Sequence, residues 1–109
     1  MQFRPFAILA LSLFAACTSG GGTSTGISEL SCPPESTLTY ANFGEDIITS
    51  ECMSCHSTKS PKLGTQAEIK ARAADILDAA VYTDAMPEGN AMSIEQRQLL
   101  GEWLACGAP

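Results

Sequence analysis

Two cysteines and a histidine stand close together near the middle of the chain, in the order Cys52-Met53-Ser54-Cys55-His56. Two thiols at this spacing can each form a thioether with one vinyl group on the edge of a porphyrin. A histidine directly after the second thiol can offer its imidazole to the iron. The C-x-x-C-H pattern is therefore the attachment signature of c-type haem. His56 is the single histidine of the chain, so no second histidine can bind the opposite face of the iron.

A pair of cysteines at this spacing also occurs in two other kinds of site. A thioredoxin-like redox motif belongs near a βαβ pattern, at the start of a helix, whereas here an amphipathic stretch leads into the motif and no alternating strand pattern lies nearby. A structural zinc site needs further ligands, usually a second closely spaced pair, but Cys32 and Cys106 stand singly and far apart. We therefore interpret Cys52, Cys55 and His56 as residues that bind one covalent haem c.

The N-terminus has the composition of an export signal. Arg4 precedes an apolar run over residues 6–16, which is too short to span a bilayer as a helix. Small residues directly before Cys17 resemble the end of a bacterial lipoprotein signal, so we expect a signal peptide over residues 1–16 and lipidation of Cys17. The alternative is an ordinary export signal that leaves Cys17 as a free thiol. The expected location is the periplasmic side of a membrane, and the absence of an acidic residue after Cys17 favours the outer membrane.

The remaining chain divides into a linker and one domain. Residues 17–28 are dominated by Gly, Ser and Thr, a composition typical of a flexible tether, and we assign residues 29–109 to the domain. Export implies an oxidising compartment, and the two cysteines without another role are Cys32 and Cys106. We predict a disulfide between them; the alternative is two separate buried thiols.

Apolar residues recur at helical spacing in three segments. The pattern predicts a first helix from about Thr39 to Ser54. Capping-box sequences that begin at Thr65 and Ser93 predict the starts of two more helices, over about residues 66–80 and 94–105. No segment alternates with a period of two, so the predicted fold class is all-α. Residues 81–92 lack helical periodicity and contain Met86-Pro87, in which the proline restrains the backbone.

This order of features resembles a class I monohaem cytochrome c over about residues 38–106. In that family, a glycine and a large apolar residue on the first helix pack against an aromatic and an apolar residue on the last helix. The matching residues here are Gly44 and Ile48 on the first helix, and Leu99 and Trp103 on the last. The resemblance implies a small three-helix cytochrome c-like fold around covalently attached haem. Pro61 is only a loose counterpart of the family's proline near the proximal histidine, because the segment after His56 is short.

The resemblance also implies that Met86 is the second protein ligand of the iron, because Met86-Pro87 matches the family's axial Met-Pro step. A Met/His ligand pair raises the reduction potential of haem iron. Met53 lies between the two thioether cysteines on the proximal side, and Met92 lies at the entry to the third helix, where a packing role is the simpler interpretation. An open or lysine-ligated iron remains the alternative.

The expected function is electron transfer by an electron carrier rather than an enzyme, because an iron with two protein ligands has no open position for substrate. A haem-based gas sensor or ligand-binding module with a labile Met86 is one alternative, and a zinc or disulfide lipoprotein without haem is another. The formal net charge of −6 disfavours nucleic acid as a partner. It is compatible with redox partner proteins that offer a basic docking surface, or with solubility alone.

Overall fold

The computed structural model describes residues 22–89 and 92–109, so the predicted signal peptide and the predicted lipidation site Cys17 lie outside the described residues. The described part of the chain is helical and contains no strand, only an isolated bridge between Ser24 and Thr83. This confirms the all-α class. No helix within residues 22–89 and 92–109 is long and apolar enough to cross a membrane.

The three predicted helices are present as three helical runs, two of which are interrupted. In chain order, the elements are a π-helical turn Tyr40–Gly44, α1 Glu45–Glu51, α2 Met53–His56, α3 Gln66–Ala71, α4 Ala73–Ile76, a second π-helical turn Leu77–Val81, and α5 Ile94–Ala105. Cys52 separates α1 from α2, and Arg72 separates α3 from α4. The backbone at both interruptions departs from ideal helix values, with φ near −119° at Cys52 and −113° at Arg72.

Side-chain caps fix the start of each run. The Thr39 hydroxyl accepts a hydrogen bond from the Asn42 N–H, and the Asn42 side chain accepts one from the Thr39 N–H. Ser93 and Gln96 form the same reciprocal pair before α5, as the capping-box sequence predicts. Thr65 caps α3 through its hydroxyl. Each cap satisfies backbone N–H groups that have no partner within the helix.

The first run and α5 cross where Gly44 meets Trp103. Trp103 is fully buried, and its ring lies 6.5 Å from that of Tyr40 and 6.2 Å from that of Phe43, measured between centroids. A Cβ atom on Gly44 would overlap the indole, with Cε2 only 2.7 Å away. Glycine is therefore the residue that allows the two helical runs to approach this closely.

Leu99 does not occupy the packing position that the family resemblance gave it. The side chain is 41% exposed, and the core-facing residues of α5 are instead Arg97, Leu100, Gly101, Trp103 and Leu104. At about 100° per residue, Leu99 lies almost opposite the centre of that face. The indole of Trp103 lies at the edge of the same face and is large enough to reach the core. The prediction for Trp103 is therefore confirmed, and the prediction for Leu99 is wrong.

Cys32 and Cys106 form a disulfide, which is the pairing that the sequence predicts. Their Cα atoms are 4.7 Å apart, and 74 positions separate them in the chain. Closing a loop of this length stabilises a folded domain by about 4 kcal/mol in the chain-entropy account. The bond ties the segment before the first helical run to the end of α5, and so supports a small core from outside.

Residues 22–27, here called the N-terminal strap, differ from the flexible linker predicted for this stretch. The N–H of Thr23 donates to the Asp84 carboxylate at 2.6 Å, and the N–H of Asp84 donates to the Thr23 carbonyl at 3.0 Å. Thr25 bonds the carbonyls of Val81 and Tyr82. Two of these five hydrogen bonds join main-chain groups, and the other three use the Thr25 hydroxyl or the Asp84 carboxylate. A polar sequence of small residues can therefore form the strap.

The Gly44–Trp103 contact predicts that Gly44→Ala destabilises the domain. Helix propensity alone would make this substitution stabilising by up to about 1 kcal/mol, because Gly44 has helical dihedral angles. The overlap with Trp103 reverses the sign, at a cost of about 1–3 kcal/mol. Urea unfolding of the oxidised, exported protein measures the difference.

Gly64→Ala is the matched control. A Cβ atom there meets its nearest neighbour at 3.5 Å, an ordinary contact distance, so its effect should stay within about 0.5 kcal/mol. If Gly44→Ala were as stable as the wild type or more so, the close crossing of the two helical runs would be wrong.

Candidate functional site

The C-x-x-C-H residues occupy the junction between α1 and α2. The Cys52 N–H donates to the Ile48 carbonyl at 2.9 Å, and the His56 N–H donates to the Cys52 carbonyl at 2.9 Å, so helical hydrogen bonds continue through the interruption. Cys52 is half-buried and Cys55 is exposed, and neither belongs to the disulfide. One short helical stretch therefore presents both free thiols and the histidine.

The His56 ring is held by the main chain that follows it. Its Nδ1 lies 2.8 Å from the carbonyl oxygen of Pro61, and the His56 carbonyl accepts a hydrogen bond from the N–H of Leu63. A carbonyl oxygen only accepts, so Nδ1 carries the proton and Nε2 keeps its lone pair. A hydrogen bond of this kind fixes the tautomer and orientation of a histidine that binds a metal through the other nitrogen. From the sequence, Pro61 is only a loose counterpart of the family's proline. In the structure, its carbonyl group orients the His56 ring.

The Cys52 thiol is in an environment that keeps it protonated. Burial, together with the nearby carboxylate of Glu51, raises the pKa of Cys52 from 9.0 to about 11. Thiol–disulfide exchange proceeds through the thiolate, and redox-active cysteines of C-x-x-C motifs have a lowered pKa. The shift at Cys52 is in the opposite direction, which disfavours the thioredoxin-like interpretation.

The zinc interpretation also finds no support in the arrangement of side chains. Within the described part of the chain, no three His, Cys, Asp or Glu side chains converge on a common point that could hold a metal ion. A structural zinc site needs four such ligands in a tetrahedron. Haem attachment makes a different demand, because the two thiols bond to the porphyrin edge while only the imidazole reaches the metal.

Met86 lies in a loop whose main chain is tightly fixed. We call residues 82–89 the Met86 loop. The N–H of Met86 donates to the Ala79 carbonyl at 2.8 Å, and the carbonyl of Met86 accepts from Arg97 Nη1 at 2.8 Å. The side chain is half-buried and packs against the core. Both polar groups of the Met86 main chain are therefore occupied, which leaves only side-chain rotation to place the sulfur.

The other two methionines of the domain have packing roles. Met92 is 5% exposed and belongs to the hydrophobic core, in agreement with the packing interpretation of its position before α5. Met53 is half-buried on α2, with its methyl group beside Gly64. Of these three methionines, Met86 is the one in a loop outside the buried core.

Arg97 is the residue of this region that the sequence reading missed. It is 3% exposed and donates hydrogen bonds to four main-chain carbonyls, those of Ala80, Thr83, Met86 and Met92. The sequence contains an indication of this role, because positions 97, 100, 101 and 104 form one face of a helix. A basic residue on a face that is otherwise apolar indicates a buried cation with specific partners.

Comparisons with known proteins add no further identification. No protein-family model matches the chain, and no curated protein or solved structure matches it significantly. The functional argument therefore depends on the residues themselves, and chiefly on the imidazole that Pro61 holds directly after two free thiols.

Proposed function

We propose that this chain is a monohaem c-type cytochrome that transfers single electrons while tethered to a membrane. Cys52 and Cys55 would hold the haem as thioethers, and His56 Nε2 and the Met86 sulfur would bind the iron. When bound, the haem accepts one electron on reduction and returns it on oxidation, and a His/Met ligand pair raises its potential. The observation that carries the proposal is the His56–Pro61 hydrogen bond, which leaves Nε2 free within a C-x-x-C-H motif.

The chain's own residues would keep both iron ligands in place during electron transfer. His56 is oriented by the Pro61 carbonyl on one side. The Met86 main chain is bonded to Ala79 and to Arg97 on the other. Ligands that do not move between oxidation states favour electron transfer over ligand exchange. This restraint also makes the gas-sensor alternative less suitable, since a sensor needs a Met86 that leaves the iron easily.

The negative net charge of the chain favours positively charged partner proteins. Twelve acidic residues against six Lys and Arg give −6, and complementary potentials speed the encounter of charged proteins. We therefore propose redox partners with a basic docking surface. The lipid anchor at Cys17 remains a proposal from the sequence alone.

Met86→Leu and Met92→Leu together test the ligand assignment. Each exchange conserves volume, and such swaps cost less than about 1.5 kcal/mol. Met86→Leu should abolish the sulfur-to-iron charge-transfer band of the oxidised protein, lower the reduction potential and let carbon monoxide bind the reduced iron, because leucine has no donor atom. Met92→Leu should retain the band, the potential and the resistance to carbon monoxide.

Visible spectra and carbon monoxide titrations of the two holoproteins provide the measurement. If Met92→Leu lost the band while Met86→Leu retained it, the wrong methionine would have been assigned. A wild-type protein that binds carbon monoxide freely would favour the gas sensor. A wild-type protein without a Soret band would contradict haem binding altogether.

Cys17→Ser tests the membrane tether. Serine cannot accept the thioether-linked lipid, so the variant should leave the membrane fraction or accumulate with its signal uncleaved. Thr18→Ser is the matched control and should fractionate as the wild type does. Detergent-free fractionation with mass analysis of the N-terminus makes the comparison. Unchanged membrane association of Cys17→Ser would disprove the lipoprotein assignment.

A further inference from the structure

Arg97 carries a buried charge for which the described part of the chain shows no ion pair. The residue is 3% exposed, and none of the carboxylates in the described part of the chain forms an ion pair with it. Burying a cation in this way is costly unless its donors are all used. Here Nε and Nη1 of the guanidinium donate to main-chain carbonyls, so carbonyl dipoles stabilise the charge.

These carbonyls belong to the segment that carries the proposed axial ligand. Nη1 lies 2.6 Å from the Ala80 carbonyl, 2.8 Å from that of Met86 and 3.3 Å from that of Thr83. Nε lies 3.3 Å from the Met92 carbonyl, so Arg97 also binds the chain just beyond Met86. A single side chain therefore connects the end of the second helical run, the Met86 loop and the start of α5.

The loop is also held from its other side. Thr23 and Asp84 exchange two hydrogen bonds, and Thr25 bonds the carbonyls of Val81 and Tyr82. The N-terminal strap thus restrains residues 81–84. The hydrogen bond to the Met86 carbonyl, however, comes from Arg97, and the strap makes no hydrogen bond to Met86 in the described structure.

We propose that Arg97 is a positioning residue that keeps the Met86 thioether on the haem iron. This inference rests on the proposed cytochrome function and adds a role that the ligand set does not contain. Arg97 would not touch the iron. It would act through the Met86 carbonyl, by making the loop conformation that presents the sulfur more stable than conformations that withdraw it.

Arginine suits this task better than lysine. Its planar group carries five donors in a fixed fork, which can serve several carbonyls at once, whereas lysine offers one compact ammonium. A hydrogen bond from a charged donor contributes about 1.5–3 kcal/mol. Losing the bond at Met86 should therefore raise the population of Met-dissociated iron roughly 10- to 100-fold.

Three variants of the holoprotein test the proposal. Arg97→Met removes all donors but keeps much of the apolar stem, and Arg97→Lys keeps the charge. Arg72→Met is the matched control, because the Arg72 side chain is half-exposed and forms an ion pair with Asp75, three residues further along its own helical run. Each protein is measured for covalent haem content, for the sulfur-to-iron band as pH rises, and for carbon monoxide binding by the reduced iron.

Arg97→Met should retain covalent haem but lose the band at a lower pH than the wild type and bind carbon monoxide at least tenfold more tightly, in keeping with the loss of one charge-assisted hydrogen bond. Arg97→Lys should give values between those of Arg97→Met and the wild type in both assays. Arg72→Met should match the wild type. If Arg97→Met retained wild-type values in both assays, or lost haem and band in equal proportion, the positioning role would be wrong.

Arg97→Lys decides the question if Arg97→Met fails to accumulate. A lysine variant with the wild-type band at every pH would then overturn the proposal, and one that loses the band early would support it. Failure of the cytochrome assignment is distinguishable, because the wild type itself would then lack the band or Met86→Leu would retain it.

Discussion

Gly44 has no side chain, and the indole of Trp103 lies in the space that one would fill. This contact sets how closely the first helical run approaches α5. The run continues through the junction that bears Cys52, Cys55 and His56, while α5 carries Arg97 on the same buried face as Trp103. The crossing therefore fixes the two elements on which the proposed haem site depends, and the disulfide between Cys32 and Cys106 joins the segment before the first run to the end of α5.

Main-chain carbonyls hold both proposed iron ligands. The carbonyl of Pro61 accepts a hydrogen bond from Nδ1 of His56, and the carbonyl of Met86 accepts one from Nη1 of Arg97. The Pro61 carbonyl orients the ring of His56. For Met86, the carbonyl of the ligand residue itself is held in place by Arg97. In a domain this small, such bonds can rigidify a site without the larger core that side-chain packing would require. The arrangement fits a protein in which the iron changes charge while its ligands stay in place.

The features visible in the sequence are those that local chemistry determines. Capping-box sequences at Thr65 and Ser93 predict the helix starts that the structure shows, because hydroxyl side chains bond N–H groups three positions ahead. The role of Pro61 could not be predicted, because the sequence does not show in which direction a main-chain carbonyl points. The sequence predicts a linker where the structure has the strap over residues 22–27, because hydrogen bonds from main-chain groups and a threonine hydroxyl need no apolar pattern. Arg97 was missed because the reading of α5 considered its apolar residues alone.

Covalent attachment of haem is the central claim, and intact-mass analysis of the denatured protein tests it most directly. The chain should be produced by a host that attaches c-type haem, alongside a Cys52→Ala/Cys55→Ala variant. The account predicts that the wild type keeps the mass of one haem after denaturation and acid extraction, with a matching Soret band, and that the variant carries none. A wild-type chain that is exported and oxidised at Cys32 and Cys106, yet has the mass of the polypeptide alone, would contradict it.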